Sequence, residues 1–274
     1  ILSCAFLFMD FQLSQEIDTE LNPAHRVTVR VNTFRRDDLL RKFVDRYAQC
    51  KAVADITVVW SDVARTPPQW LETKSKVFVE RHESDSLNNR FKPLSIPKQE
   101  AILSIDDDIF INCQTLNFML EAWTSAPKQM VGLAPRLILR PHFQYLRWWS
   151  VYWNGAFSLV LTKVAIFHRD YLYLYSNSKF IQPLRTHVHH HRNCEDILMS
   201  FLVANATHSP PLWIKGSYID YGQSIYKSHA GISAQNDHID IRTNCLDLFS
   251  RHFGYFPLVT GHLKLIPARS SWLW

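Results

Sequence analysis

The chain has 274 residues, 47% of them apolar, which suits one large α/β domain or two small ones and excludes a disordered polypeptide. Its formal charge of +5 comes from Lys and Arg scattered among Asp and Glu, so no basic block marks nucleic acid as a partner, although phosphate-bearing or acidic ligands suit a mildly basic surface. Five cysteines, Cys4, Cys50, Cys113, Cys194 and Cys245, form no C-x-x-C pair, which excludes zinc-ribbon and thioredoxin readings and leaves the redox compartment open.

The chain opens on an apolar run, Ile1 to Met9, shorter than the roughly 20 residues that span a bilayer as a helix. It reads either as the tail of a truncated signal-anchor or as a stray end. In the first reading the protein is tied to a membrane by an anchor that starts before Ile1. Residues 1–26 are therefore set apart as an N-terminal extension, and 27–274 as the folded domain. Val27 to Thr33 reads as a strand, and behind a cap at Asp37 the residues Leu39, Leu40, Phe43, Val44 and Tyr47 recur at helical spacing. Ile56 to Trp60 and Lys76 to Glu80 are further strands, parted by the breaker Thr66-Pro67-Pro68. Ala101 to Ile105 is a buried strand that runs straight into three aspartates, followed by a helix on Leu116, Met119, Leu120 and Trp123.

Met130 to Ala134 and Phe157 to Leu161 read as strands, and the aromatic, Arg-bearing stretch from Pro141 to Trp153 as a ligand-contacting loop. Asp196 opens a helix whose face is Ile197, Leu198, Phe201 and Leu202. Ile241, Leu248, Phe249 and Phe253 mark a last helix that Gly254 ends. Strands alternating with helices imply a layered, largely parallel α/β sheet in one domain with a nucleotide half and an acceptor half. His187-Val188-His189-His190-His191 reads as a solvated loop, with Zn²⁺ binding as the sharper alternative. Asn205-Ala206-Thr207 fits the N-glycosylation pattern.

Asp106-Asp107-Asp108 is the informative cluster. It emerges at the carboxyl end of a buried strand, where α/β sheets bind ligands. In an extended segment Asp106 and Asp108 share a face, and adjacent carboxylates are offset by a hard cation such as Mn²⁺ or Mg²⁺. Asp108 is the expected metal ligand, with Asp106 nearer a nucleotide. The bland alternative is an acidic turn capping a helix that begins near Gln114; a metal-dependent phosphohydrolase is another.

Taken with Ser86-Leu87-Asn88-Asn89-Arg90-Phe91, Val131 to Arg136, Ser158 to Thr162, Asn193 to Met199 and Phe253 to Leu258, this cluster resembles the exostosin C-terminal glycosyltransferase domain, block after block in the same order. The resemblance implies a GT-A-like α/β fold, a single mixed sheet flanked by helices. It implies retaining transfer of a sugar, an N-acetylhexosamine first, from a UDP-sugar with Mn²⁺, Mg²⁺ being the alternative, to a glycan or glycolipid acceptor. Carried over residue by residue, Asn32, Thr33, Arg36, Asp85, Arg90, Asp106 and Asp107 hold the nucleotide-sugar, Arg90 meeting the diphosphate as a forked donor. Asp108 holds the metal. Asp196 stands near the anomeric centre, and Arg242 faces the acceptor or the leaving diphosphate. The resemblance pairs Cys194 with Cys245, implies the Golgi or endoplasmic reticulum lumen, makes Asn205 a glycosylation site and leaves homo- and hetero-oligomers both open. Ala156 departs from the pattern, since relatives commonly carry an acid there. That keeps a non-catalytic, sugar-binding relative in play beside a GDP-mannose-using glycolipid transferase.

Overall fold

The structure, a computed structural model, describes residues 25–222 and 238–268; the opening apolar run, Cys4 and most of the predicted extension lie outside the described residues. In chain order the strands and helices are β1 (Val27–Thr33), α1 (Asp37–Tyr47), β2 (Val53–Trp60), β3 (Val77–Arg81), β4 (Ala101–Asp106), β5 (Ile109–Phe110) and α2 (Cys113–Ser125). There follow β6 (Val131–Gly132), β7 (Pro135–Leu139), β8 (Gln144–Leu146), α3 (Trp148–Asn154), β9 (Leu159–Val160), β10 (Val164–His168) and α4 (Asp170–Asn177). The chain continues with α5 (Gln182–His191), α6 (Glu195–Thr207), β11 (Leu212–Ile214), β12 (Ile219–Asp220), α7 (His238–Phe253) and β13 (Lys264–Leu265).

Among the described residues the central sheet has eight strands in the order β13-β11-β6-β10-β4-β1-β2-β3. The sheet is mixed, as the resemblance implies. β1 pairs in parallel with both β2 and β4, whereas β10 runs antiparallel between β4 and β6. The alternation of strands with helices implies a more parallel sheet, because it misses β10. Val164–His168 is as apolar as the neighbouring run, and only two residues of the predicted strand Phe157 to Leu161 pair as β9, in the small sheet with β7 and β8. A side chain at Gly132 would reach to 2.8 Å from Val160, so β6 packs this closely only with glycine there.

Val27, Val29, Val31, Leu103, Ile105 and Ile166 are fully buried, as near-continuous apolar strands require. A charged pair sits in that core. Arg30 on β1 gives both terminal nitrogens to Glu80 on β3, at 3.1 and 2.7 Å. Helix α1 begins at Asp37, which is its first residue and not its cap, with Arg36 in the flanking position. Helix α7 buries Arg242, Cys245, Leu246 and Phe249, a face turned from the predicted one; Ile241, Leu248 and Phe253 pack at its edges.

Two segments expected to be loops are helical. Pro141 to Trp153 contains β8 and α3; the outward face of α3 is aromatic while the inward face is Ser150 and Val151, which hides the usual amphipathic pattern. The histidine run is the last turn and a half of α5. Leu184 and Val188, four residues apart, bury one side, and the histidines complement the helix C-terminus before Arg192 ends it at φ 48°. His187 stacks on His191 at 4.0 Å, and no cluster of three metal-ligating side chains occurs among the described residues, so the Zn²⁺ alternative has no site.

Two disulfides staple the fold. Cys194–Cys245 joins the start of α6 to α7 as the resemblance implies, and Cys50–Cys113, which sequence reasoning left unpaired, joins the end of α1 to the start of α2. The latter closes a loop with a sequence separation of 63 residues, worth about 4 kcal/mol of lost unfolded-state entropy. Cys50→Ser/Cys113→Ser should therefore lower the unfolding free energy in urea by about 2–4 kcal/mol, and dithiothreitol should cost the variant about half what it costs the wild type, because Cys194–Cys245 remains to be reduced.

Candidate functional site

Parallel pairing brings the carboxyl ends of β1 and β4 to one edge, with Asn32 opposite Asp106 in register. The three aspartates then diverge. Asp107 points inward, fully buried, and accepts a 2.7 Å hydrogen bond from the Thr33 hydroxyl while Arg36 lies 2.6 Å from its other oxygen. Burial is the main reason its carboxyl is pushed up to about 7, with Arg36 and Thr33 pulling the other way. Asp107 and Thr33 thus form the floor of the site and do not face it. Asp106 and Asp108 keep partly accessible side chains, but the extended segment expected to put them on one face ends at Asp106: Asp107 and Asp108 form the turn that leads into β5.

Arg36 bridges Asp107 and Asp108, its Nη1 2.5 Å from Asp108 Oδ2. Burial works against its charge, but Asp107 and Asp108 outweigh it and raise its pKa. Arg90 forms an ion pair with Asp106 and donates to the Thr162 carbonyl at 3.3 Å. Its side chain is 7% exposed against 21% for Arg36. Arg36 is therefore the more accessible of the two guanidiniums, whereas the sequence favours Arg90 as the fork that meets a diphosphate. Asp85 lies apart from the aspartates, paired with Arg192 at 2.8 Å.

The aspartates cap no helix: the first turn of α2 is capped by Asn112, whose side-chain oxygen accepts from Thr115 N at 2.6 Å. That removes the bland alternative. β12 pairs with β5 beyond the cluster, bringing in Asp220, which Lys163 meets at 2.7 Å. Asp220 and Asp106 both repel the Asp108 charge, and with burial as the leading cause the Asp108 pKa is raised. A Cβ at Gly222 would stand 2.4 Å from Asp108 Oδ2, so a side chain there would force the carboxylate to turn from its present position. Asp220, Lys163 and Gly222 were not found from sequence, because chain distance gives no hint that β12 folds back on β5.

A second charged centre lies at the start of α6. Arg242 reaches from α7 to Asp196 at 2.6 Å and to Asn193 at 3.3 Å, and its guanidinium sits 4.5 Å over the Tyr145 ring. The Cys194–Cys245 disulfide holds these two segments together. Burial opposes ionisation of Asp196, but Arg242 and the backbone N–H of Ile197 outweigh it, so its pKa is lowered and it stays anionic. Arg90 connects the centres: paired with Asp106, it is also drawn by the charges of Glu195 and Asp196. Asn32 Oδ1, Arg90 Nε, Thr162 Oγ1 and Arg242 Nε are buried without a hydrogen-bond partner among the described residues. Ala156 is not in the cleft; it packs with Leu137, Val151, Phe157 and Trp213 in a small apolar cluster. Asn205 is exposed near the end of α6, where its side-chain oxygen accepts from the Tyr255 hydroxyl at 2.6 Å.

The sequence profile of the glycosyl transferase family 64 domain matches residues 27–272. The chain belongs to glycosyltransferase family 64. It is 39% identical to glycosylinositol phosphorylceramide mannosyl transferase 1 of Arabidopsis thaliana over 90% of this chain and 78% of that protein. It is 32% identical to glucosamine inositolphosphorylceramide transferase 1 of Oryza sativa subsp. indica and 34% identical to exostosin-1 of Mus musculus, each over 80% of this chain. Of those two proteins it spans only 29% and 30%. Among solved structures, 4-diphosphocytidyl-2C-methyl-D-erythritol synthase from Anaerococcus prevotii aligns over 83% of this chain and 99% of that one, with a TM-score of 0.47 and 10% identity. The exostosin resemblance and the glycosyltransferase class are thereby established.

This family 64 domain has one tuned group that sequence reasoning passed over. Glu195 adjoins Asp196, and burial followed by repulsion from Asp196 pushes its carboxyl up to about 7. Adjacent acids in one pocket split in this way, and the pair Glu195-Asp196 was itself the available signal. The folded state binds the Glu195 proton more tightly than the unfolded state. Its stabilising contribution is therefore complete below its ordinary value of 4.5 and lost as pH rises through about 7. Glu195→Gln should remove a decline in unfolding free energy on the order of 2 kcal/mol between those limits, measured by urea titration across the range.

Proposed function

We propose that this chain transfers mannose from GDP-mannose to the head-group of a glycosylinositol phosphorylceramide, in a metal-assisted, retaining reaction. The observation that carries it is the pairing of two charged centres, the strand-end aspartates with Arg36 and the Asp196–Arg242 pair, in a chain 39% identical to a mannosyl transferase acting on that lipid class. Sequence reasoning put a UDP-N-acetylhexosamine first. It stands as the second reading, supported by the likeness to the glucosamine inositolphosphorylceramide transferase.

The donor set suits a hard divalent cation such as Mn²⁺ or Mg²⁺: Asp108 would hold it, with Asp106 as the neighbouring carboxylate, and Arg36 and Arg90 supply the positive charge that the two carboxylates now meet. When bound, such an ion neutralises charge building on a departing diphosphate. Asn32 Oδ1, an unpaired acceptor at the end of β1, suits a nucleotide donor group, and Arg36 suits phosphate oxygens. In the transfer the bond from the anomeric carbon to the diphosphate oxygen breaks with its electron pair on that oxygen. The acceptor oxygen bonds to the carbon, and its proton passes to the departing diphosphate. Asp196, held anionic, faces the positive charge developing at the anomeric carbon, and Arg242 fixes its orientation. Two disulfides fit an oxidising lumen such as the Golgi or endoplasmic reticulum. No helix among the described residues is long and apolar enough to cross a membrane.

The test is incubation of the purified chain with a glycosylinositol phosphorylceramide acceptor and GDP-mannose, UDP-N-acetylglucosamine or UDP-N-acetylgalactosamine, with product masses read by mass spectrometry. A hexose increment from GDP-mannose is expected. An N-acetylhexosamine increment alone would establish the second reading, and no product from any donor would leave a non-catalytic binding relative.

A further inference from the structure

Helix α3 turns its aromatic residues outward. Trp148, Trp149, Tyr152 and Trp153 occupy positions i, i+1, i+4 and i+5, one broad face, and each is more than half exposed, Trp153 reaching 84%. The opposite face, Ser150 and Val151, is buried. The aromatic face continues onto the sheet edge. Tyr152 meets Trp213 of β11 edge-on at 5.5 Å, and Lys264 of β13 lies 4.9 Å from the Trp213 ring. Leu263 and Ile266, beside Lys264 in the chain, are 75% and 60% exposed. An exposed apolar patch of this extent marks an interaction surface.

Its electrostatics are one-sided. No Asp or Glu occurs between Glu121 and Asp170, between Asp196 and Asp220, or after Asp247, so every segment that builds the patch is free of acids. Arg147, Lys215 and Lys264 are exposed on it or at its rim. Tryptophan and tyrosine beside aliphatic side chains, ringed by cations, is the composition that settles at the interface of an anionic bilayer. Aromatic faces alone would also suit sugar stacking, but exposed Leu263 and Ile266 have no use there.

We infer that this face is a membrane-interface contact, seating the domain on an anionic lipid surface with the aromatic residues of α3 at head-group depth. Its position serves the reaction. Trp148 follows Tyr145, whose ring lies against Arg242, by three residues, at most about 11 Å of chain. A lipid surface under α3 therefore brings a glycolipid head-group to the Asp196–Arg242 centre. That purpose rests on the glycolipid reading above; the contact itself does not.

The full chain, without donor or glycolipid, is sedimented with phosphatidylcholine vesicles containing about one-third phosphatidylserine or none. Wild type is expected to bind the anionic vesicles, more weakly at high salt. Trp149→Ala/Trp153→Ala should lose at least about tenfold of that partition and Lys264→Glu about fivefold, with unchanged melting temperatures and unchanged transfer to a soluble head-group acceptor. Equal sedimentation of wild type and the double variant would overturn the inference. So would loss of transfer to the soluble acceptor, which would make the patch a sugar-stacking surface, or a wild-type dimer that the double variant dissolves without any vesicle binding. Vesicle binding in the absence of any transferase activity would sink only the proposed function.

Discussion

Asp108→Asn should lower metal-dependent sugar transfer by at least about a hundredfold while leaving the metal-free protein within about 1 kcal/mol of wild-type stability. The asymmetry follows from where the residue stands. Asp108 sits against Asp106 and Asp220, whose charges repel it, and the carboxylate offers Arg36 one of that residue's two acidic partners. Removing the charge relieves repulsion as it removes an attraction, and Arg36 keeps Asp107. In the proposed site, by contrast, a bound metal would lose its principal side-chain oxygen. Asp107→Asn is the control: fully buried and bonded to Thr33, it should change stability more than it changes the metal dependence of transfer. Initial rates against Mn²⁺ concentration, paired with urea unfolding of the metal-free variants, check both statements.

The second large effect belongs to the Asp196–Arg242 pair. Asp196→Asn should cost about 10²–10³ in kcat if, as proposed, its anionic oxygen faces the charge developing at the anomeric carbon. It should also destabilise the fold by about 3–5 kcal/mol, because the Arg242 guanidinium is left buried among Asn193, Tyr145 and a neutral amide. The two losses separate in the double variant Asp196→Asn/Arg242→Met, where an apolar chain of similar length replaces the stranded charge. Stability should recover by more than half and transfer should not recover at all. Recovery of both would mean that the pair only props up the fold.

Much of this was legible in the amino-acid order because the parallel half of the sheet is written in local pattern. β1 and β4 are unbroken apolar runs, and the run of β4 ends at the aspartates, so the strand, its buried neighbours and the position of the site at its carboxyl edge follow together. The order of the motif blocks carried the family and the Cys194–Cys245 bridge. What escaped was set by contacts between distant segments. β10 and β9 are equally apolar, and only pairing with β4 decides which joins the main sheet. Helix α3 has its aromatic face outward, so a rule that turns apolar residues inward misses it. The roles of the two arginines depend on which carboxylates they reach, as Arg90 meets Asp106 and Arg36 spans two acids. Asp220 joins the site only because β12 lies on β5.

In the proposed reaction the strand-end aspartates and Arg36 form a metal-dependent nucleotide-sugar site. Thermal unfolding of the wild type and of Asp108→Asn, with GDP-mannose or UDP-N-acetylglucosamine and with Mn²⁺ or chelator, tests this most directly. Donor at about a hundred times its dissociation constant should stabilise the wild type by about 2.7 kcal/mol in Mn²⁺, with that gain absent in chelator and absent in the variant. Equal stabilisation with and without metal, or a variant that responds as the wild type does, would contradict it.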